Sequence, residues 1–310
     1  MKKITVVGAG RVGESTAQFI ASRDMCREIV LIDIREGAAE GAALDIQEDA
    51  PLFRFDTRLR GGSDYALMAD SDLIIVTAGV PRKPGMSRSD VLEINIGVTD
   101  EIVANVLKYA PDCKMLFVSN PVDILTYRAW QKTGWDRSRI MGQAGVLDST
   151  RMASFISMET GYSALDINAM VMGGHGDSMV PMMRYTTISG IPVSNFIDQK
   201  TLEDIVTRTR NGGAEILALR QNSSAFDAPA AAVAVMVDAI VYDRKRVLPT
   251  VALLDGEYSC NDLAIGVPCV LGSGGMEKVI SLKLNDQEQK DFNQSVASVR
   301  KDLETLASIK

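Results

Sequence analysis

The chain has 310 residues, a formal net charge of -7, a pI near 5.0 and a single histidine. An acidic surface of this kind argues against a general binder of nucleic acid or anionic membranes. No apolar run approaches the roughly 18 residues that a membrane span requires. Hydrophobic and charged fractions of 46% and 24% are ordinary for a globular protein, and the length predicts two domains at roughly 150 residues each.

Cysteine usage and the start of the chain bear on compartment and metal content. The four cysteines show no C-x-x-C spacing, and one histidine cannot support a His-based zinc site. We therefore predict no metal centre and free thiols in a reducing cytoplasm. The basic opening is followed by an apolar stretch that stops at Gly8, so no export signal is expected.

The first motif is a glycine-rich turn after a short β-branched run. Residues 4–7 predict a buried parallel strand, residues 8–13 read G-x-G-x-x-G, and residues 14–20 read as a helix. In this context Gly8 permits a tight turn, Gly10 lets the backbone approach a pyrophosphate, and Gly13 allows close packing of helix on strand. The motif alone has low specificity, but it predicts phosphates at a helix N-terminus.

A carboxylate follows at the distance that such a site requires. The apolar run 29–32 ends at Asp33, 20 positions beyond Gly13, as expected for a residue that accepts hydrogen bonds from the adenosine ribose hydroxyls. A carboxylate there would repel the 2'-phosphate of NADP, which favours NAD. The alternative is a solvated aspartate at a strand end.

Further strands alternate with helices and predict a parallel sheet. Strands are expected at 73–77 and 115–119, with a long helix over 89–109 between them. The basic loop 80–88 lies beyond the carboxyl end of a predicted strand, where open α/β sheets bind ligands, so it is either an anion site or a solvated loop. The alanine-rich segment 38–43 indicates either a subunit contact or packing within one chain.

The pattern changes after residue 145. Helices are predicted over 148–160, 201–220 and 228–243, and strands over 167–172, 247–254 and 265–271. Asn285 and Glu288 can form a capping box for a final helix whose apolar stripe belongs to the core. The expected fold class is α/β, with a Rossmann doubly wound parallel sheet over 1–144 and an α+β substrate domain over 145–310. No linker separates them, so we expect the two to be in contact.

The single histidine, His175, stands among three glycines in the sequence Gly-Gly-His-Gly-Asp over 173–177. An imidazole with so little bulk beside it can be reached by a substrate, and histidine is the usual residue for moving a proton near neutral pH. A structural histidine in a tight turn is the alternative.

Six segments in order resemble the lactate/malate dehydrogenases, most closely the lactate-dehydrogenase-like malate dehydrogenases. The similar segments are 8–13, Asp33, 81–88, 119–123, 146–151 and 173–177. The resemblance covers nearly the whole chain and implies a homo-oligomer, dimer or tetramer, that interconverts a 2-hydroxy acid and its 2-keto acid with NAD. Its small-molecule substrate would be malate or oxaloacetate.

The resemblance also implies roles for particular residues. His175 would be the general acid/base, Asp148 would hold its other ring nitrogen, and Arg151 would grip the C1 carboxylate with a two-pronged hydrogen bond. Arg88 would polarise the C2 oxygen, and Asn120 would position both the substrate and the nicotinamide. The implied cofactor-binding residues are Gly8, Gly10, Arg11, Val12, Gly13, Asp33, Asn95, Val118 and Asn120.

Substrate choice is predicted to depend on Arg82, which would face the substituent on C3. Oxaloacetate carries a carboxylate there and pyruvate only a methyl group, so an arginine favours oxaloacetate. Gly79 and Gly85 are expected to help the loop close. Two departures from relatives are Gly174, before the histidine, and residues 225–229, where lactate enzymes carry a threonine-containing segment. A lactate dehydrogenase and a non-catalytic NAD-binding sensor are the alternatives.

Overall fold

The computed structural model describes residues 1–81, 86 and 88–308. Its helices are α1 Arg11–Ala21, α2 Ala38–Glu48, α3 Ala50–Phe53, α4 Arg88–Tyr109, α5 Val122–Thr133, α6 Gly145–Thr160, α7 Gln199–Arg220, α8 Asp227–Val241 and α9 Asp286–Ser308. Its strands are β1 Lys3–Val7, β2 Glu28–Ile32, β3 Arg58–Gly62, β4 Leu73–Val76, β5 Lys114–Phe117, β6 Ile140–Gly142, β7 Ile167–Asn168, β8 Val171–Met172, β9 Val180–Pro181, β10 Thr187–Ile188, β11 Ile191–Pro192, β12 Arg246–Asp255, β13 Asn261–Gly272 and β14 Gly275–Val279.

One nine-stranded sheet runs through both halves of the chain, in the order β14-β13-β12-β6-β5-β4-β1-β2-β3. The six strands from β3 to β6 are parallel and have the 3-2-1-4-5-6 order of a Rossmann sheet. Strands β12, β13 and β14 extend it antiparallel through the pair Val251–Gly142. The predicted α/β class is confirmed, and the second half continues the sheet of the first.

The central parallel strands are buried because helices cover both faces of the sheet. Every residue of β1 and β4 is buried; β4 is wholly apolar, and β1 also buries the polar residues Lys3 and Thr5. A single large core joins the strands of both halves, and a smaller cluster lies beneath α6 and α7. Ala39 and Ala43 of the alanine-rich segment pack into the large core, so for these two residues the intramolecular alternative is correct.

The end of the chain folds as its sequence predicts. The main-chain N–H of Asn285 donates to Glu288 and the N–H of Glu288 donates to the Asn285 side chain, both at 2.9 Å, which is the reciprocal capping box. On α9, Phe292, Val296 and Val299 are buried against the core. This helix therefore packs against the part of the fold that carries the histidine.

Several elements differ from the sequence-based prediction. The strand expected over 167–172 is two short strands, β7 and β8, that pair with different partners. Strand β3, helix α5 and strand β6 were not predicted. Strand β3 is an edge strand of sequence RLRGG in which exposed residues alternate. Its arginines and glycines are typical of a loop, and the segment is a strand because it pairs with β2.

Among the described residues, no helix is both long and apolar enough to cross a membrane.

Candidate functional site

The carboxyl ends of β1, β2, β4 and β5 meet at one edge of the sheet, because these strands are parallel neighbours. The glycine turn follows β1, Asp33 follows β2, Gly79 and Val80 follow β4, and Asn120 follows β5. Open α/β sheets bind ligands at this edge. The residues that the sequence singled out are therefore grouped there by the topology.

Two glycines of the turn are required by close packing. Gly8 has φ +106°, and a side chain on it would stand 2.6 Å from the Ala78 main-chain nitrogen. A side chain on Gly13 would stand 2.9 Å from Thr77 Oγ1 and closer still to the carbonyl oxygen of Gly8. Only glycine at both positions lets α1 begin directly beside β1 and β4.

Gly10 differs from its two neighbours in the motif. It is exposed, and a side chain built on it would meet no atom within 4 Å. It is the N-cap of α1 and no side chain caps the helix, so the first N–H groups of α1 face this open space. The geometry fits a pyrophosphate, because N–H groups and the helix dipole both favour an anion there.

Asp33 is held at the edge of the same space. Its Oδ2 accepts a hydrogen bond from the Ala9 N–H at 2.8 Å, and its Oδ1 accepts from the main chain and side chain of Arg35 at 2.9 and 3.0 Å. Partial burial raises the pKa of Asp33, but the hydrogen bonds from Arg35 and Ala9 outweigh it and the net pKa is lowered. The carboxylate is therefore ionised, and the Arg35 side chain that donates to it is 64% exposed.

The other predicted cofactor residues lie around this cleft. The Arg11 guanidinium carbon is 5.2 Å from the centre of the Phe226 ring, so the segment 225–229 meets the glycine turn. Val12 is partly buried on the first turn of α1. Val118, directly after β5, is also partly buried, and its N–H donates to the Val76 carbonyl at 2.9 Å.

Asn95, on α4, joins the ends of β4 and β5. Its Oδ1 accepts from the Val80 N–H at 2.8 Å, and its Nδ2 donates to the carbonyls of Val80 and Asn120 at 3.2 and 2.8 Å. Asn95 is only 2% exposed, and both hydrogens of its amide are used within the protein. These hydrogen bonds fix the positions of Gly79–Val80 and of Asn120.

The partly buried side chain of His175 pairs with the buried carboxylate of Asp148. The ring Nδ1 lies 2.9 Å from Asp148 Oδ2, and the side chains of His175 and Asp148 are 18% and 2% exposed. Because a carboxylate only accepts hydrogen bonds, Nδ1 carries the proton and Nε2 is left as the basic nitrogen. Burial lowers the pKa of His175, but the charge and hydrogen bond of Asp148, assisted by Asp123, outweigh it, and the net pKa is raised.

Arg151 completes the group on the same helix. It lies three residues after Asp148 on α6, and one of its terminal nitrogens is 3.3 Å from Asp148 Oδ1. Its side chain is 12% exposed, and its buried Nε has no hydrogen-bond partner among the described residues. A buried guanidinium with an unused donor is suited to receive a carboxylate.

The glycines beside His175 let its loop lie flat against its neighbours. Gly173 exchanges two main-chain hydrogen bonds with Gly266 of β13, at 2.8 and 3.2 Å. The N–H of Gly174 donates to Ser295 Oγ on α9 at 2.8 Å. A side chain on Gly174 would stand 2.7 Å from a methyl group of Val299, which explains glycine at this departure from the relatives.

Two predicted substrate residues lie in the basic loop or at its end. Arg82 lies outside the described residues, as does Gly85. Arg88 is the first residue of α4. Within the part of the chain that the structure describes, no three His, Cys, Asp or Glu side chains cluster closely enough to hold a metal ion.

Three residues at this site were not singled out from the sequence. They are Arg35, which pairs with Asp33, Asp123, which accepts the His175 main-chain N–H at 2.9 Å, and Ser295 on α9. Arg35 could have been found from its place two residues after the predicted ribose-binding carboxylate. Asp123 lies in the similar segment 119–123, but no role was predicted for it. Nothing in the sequence around Ser295 indicated a contact with the histidine loop.

Comparison with known proteins agrees with this geometry. A lactate/malate dehydrogenase NAD-binding domain model matches residues 2–142, and a lactate/malate dehydrogenase alpha/beta C-terminal domain model matches residues 145–309. A malate dehydrogenase of Thioalkalivibrio sulfidiphilus is 66% identical over 306 residues, which are 99% of this chain and 100% of that protein.

Solved structures give the same result. The apo malate dehydrogenase of Picrophilus torridus is 44% identical with a TM-score of 0.96 over 100% of this chain and 99% of its own. A lactate dehydrogenase of Cryptosporidium parvum, complexed with lactic acid and nicotinamide adenine dinucleotide, is 34% identical with a TM-score of 0.93 over 97% of this chain and 96% of its own. The chain therefore belongs to the lactate/malate dehydrogenase family of NAD-dependent oxidoreductases.

Proposed function

We propose that the chain is a malate dehydrogenase, which reversibly oxidises (S)-malate to oxaloacetate with NAD. The observation that carries the proposal is the His175–Asp148 pair beside Arg151. The Arg151 guanidinium donates to Asp148 through one terminal nitrogen, and its Nε has no hydrogen-bond partner among the described residues. The relatives that are 66%, 61% and 52% identical are malate dehydrogenases. A base with an oriented proton and an adjacent carboxylate receptor is what oxidation of a 2-hydroxy acid requires.

The residues divide the work as follows. When malate is bound, Arg151 holds the carboxylate next to C2, and Nε2 of His175 takes the proton from the C2 hydroxyl. Asp148 keeps the ring in the tautomer with a free Nε2 and stabilises the imidazolium that forms. Bound NAD supplies the acceptor for the hydride that leaves C2. In the opposite direction the imidazolium returns its proton to the C2 oxygen of oxaloacetate, and Arg88 polarises that oxygen.

For the cofactor we propose NAD rather than NADP. The pyrophosphate would lie over Gly10 at the start of α1, and the ribose hydroxyls would donate to Asp33. The ionised state of Asp33 supports this choice, because its negative charge repels a 2'-phosphate. Arg35 opposes the effect in part, since its positive charge lies 3.0 Å from Asp33 Oδ1.

For substrate choice we propose Arg82 as the selector between oxaloacetate and pyruvate. Leaving a desolvated guanidinium without a carboxylate is costly, and sites built around a polar group reject analogues that lack its complement by about 10⁴-fold in favourable cases. Arg88 would act on the C2 oxygen that both keto acids share. Substitution of Arg82 should therefore change the ratio of activities on the two keto acids, whereas substitution of Arg88 should lower both activities.

The test is NADH oxidation with oxaloacetate, with pyruvate and with no keto acid. A malate dehydrogenase reduces oxaloacetate far better than pyruvate, a lactate dehydrogenase does the reverse, and a non-catalytic sensor reduces neither. Arg82→Gln should lower activity on oxaloacetate and raise it on pyruvate, whereas the control Arg88→Gln should lower both alike. An unchanged ratio in Arg82→Gln would remove Arg82 as the selector.

We propose a homo-oligomer, dimer or tetramer. Three large apolar side chains on α2 and α3 are exposed in the single chain: Leu44 at 61%, Leu52 at 80% and Phe53 at 58%. Apolar surface of this kind favours a symmetric contact. Light scattering should give a multiple of 33.5 kDa, and a mass of one chain at micromolar concentration would contradict the proposal.

We also propose that the domains are 1–144 and 145–310, and that the protein works in the cytoplasm. The two family models, which meet between residues 142 and 145, support the division. All four cysteines are free and buried, and free thiols fit a reducing compartment.

A further inference from the structure

Asp123 lies directly behind the histidine. It is the second residue of α5 and is 6% exposed, and its Oδ2 accepts the main-chain N–H of His175 at 2.9 Å. Its other oxygen, Oδ1, is buried and has no hydrogen-bond partner within the described ranges. Unsatisfied buried polar atoms are rare in native proteins and call for a physical reason.

A structural anchor alone would not need a carboxylate here. The neutral oxygen of an asparagine could accept the same N–H, and burying a charge costs more than burying an amide. What a carboxylate adds is its negative charge, which acts on the imidazole of the residue that it anchors. Burial raises the pKa of Asp123 to about 6, although the hydrogen bond and the positive charge of His175 oppose the rise.

Among the described residues, the charged side chains that shift the pKa of His175 come from two helices. Asp148 and Arg151 face it from α6, and Asp123 faces it from α5. Helix α9 contributes Ser295, a neutral residue that anchors the neighbouring Gly174 N–H at 2.8 Å. Of these three charged side chains, the carboxylates of Asp148 and Asp123 stabilise the imidazolium and the guanidinium of Arg151 destabilises it.

We propose that Asp123 is a positioning residue for His175, which fixes the main chain of the histidine loop and, as a second carboxylate beside Asp148, stabilises the imidazolium with its charge. Its effect on turnover rests on the proposed function, because it assumes that His175 moves the proton. The effect on the histidine itself does not depend on the substrate. The two can therefore be tested separately.

The first test uses the fact that the chain has one histidine. In untagged protein, an NMR titration of the histidine ring reports His175 without any assignment. Asp123→Asn keeps the hydrogen-bond acceptor and removes the charge, so the pKa of His175 should fall. Asp148→Asn should lower it as well. The matched control Ser295→Ala removes a neighbouring anchor that is 1% exposed and changes no charge, so it should leave the pKa of His175 where it was.

The second test is kinetic. Reduction of oxaloacetate requires the imidazolium, so the alkaline limb of kcat/KM should move to lower pH in Asp123→Asn, while the affinity for NADH stays unchanged. Ser295→Ala should lower kcat without moving the limb. Asp123→Ala also loses the main-chain anchor, and a misplaced catalytic group costs up to about a hundredfold, so kcat should fall roughly tenfold to a hundredfold at every pH.

The result that overturns the proposal is an unchanged pKa of His175 in folded Asp123→Asn. If that variant does not fold, Asp123→Ser provides a smaller neutral acceptor and the same criterion applies. If oxaloacetate is not the substrate, these NMR results stand and only the kinetic arm is lost.

Discussion

Replacing Gly10 and Gly13 by alanine, one at a time, separates the fold from the cofactor site. A methyl group on Gly10 meets no atom within 4 Å, and Gly10 has φ -91°, which alanine adopts readily. A methyl group on Gly13 would overlap the carbonyl oxygen of Gly8 and stand 2.9 Å from Thr77 Oγ1. The same chemical change is thus tolerated by the protein at one position and not at the other.

The expected sizes follow from this geometry. Gly10→Ala should change the free energy of unfolding by no more than about 0.5–1 kcal/mol, because it adds no clash and removes some freedom of the unfolded chain. Gly13→Ala should destabilise by about 1–3 kcal/mol or more, the usual cost of overpacking a tight contact. Thermal unfolding of the apo protein should therefore distinguish the two variants.

Cofactor binding should show a different pattern. If the pyrophosphate lies against Gly10, the added methyl group occupies its place and overpacks the complex rather than the protein. A cost of about 1–3 kcal/mol corresponds to a loss of NADH affinity of roughly 5- to 150-fold. NADH fluorescence titration measures this loss directly. The reasoning is refuted if stable Gly10→Ala binds NADH as tightly as the parent, or if Gly13→Ala is as stable as the parent.

Three further predictions address the cofactor end, the base and an ion pair. Asp33→Ser should weaken NADH binding and ease NADPH binding, whereas Arg35→Ala should increase the preference for NADH, because it removes the positive charge that offsets Asp33. Steady-state kinetics with both cofactors measures this preference, and equal use of both cofactors by the unmodified protein would contradict the prediction. His175→Asn should fold and bind NADH but lose turnover by about a hundredfold to ten-thousandfold, and near-normal turnover would make the histidine structural. The hydrogen bonds from Arg137, at 2.8 and 3.0 Å, lower the pKa of Glu257 from 4.5 to about 2. The contribution of ionised Glu257 to stability is therefore complete above pH 4.5 and is lost as pH falls to 2. Glu257→Gln should lower the free energy of unfolding by about 1–3 kcal/mol at pH 7 and by much less near pH 2. An equal loss at both pH values would contradict this prediction.

Most of the fold could be predicted because its elements have strong local patterns. The apolar runs of β1, β2, β4 and β5 are long enough to be recognised, and their alternation with helices specifies a parallel sheet. The same patterns place Gly8–Gly13 and Asp33 at strand ends. The helix bounds also agree within a few residues, because caps such as Asn285–Glu288 are local.

The two strands that were missed, β3 and β6, depend on their neighbours. Strand β3 is a strand because β2 pairs with it, and β6 is three residues long between β5 and β12. Neither has a hydrophobic period of its own. One sheet extends through both halves by way of the Val251–Gly142 pair of β12 and β6, and neither segment carries a local pattern that predicts this pairing.

By itself the sequence determined the turn that follows β1, the carboxylate after β2 and the identity of the one histidine, since each follows from residue type and spacing. The family resemblance already assigned Asp148 to that histidine, but only the tertiary structure showed that Asp123 and the Ser295 anchor lie beside it as well. Asp148 comes from α6, Asp123 from α5 and the Ser295 anchor from α9. Asp148 and Asp123 are 27 and 52 residues from His175 in the sequence, and Ser295 is 121 residues from Gly174. Contacts over such distances are set by packing of whole helices against the sheet, and no local pattern of residues encodes them.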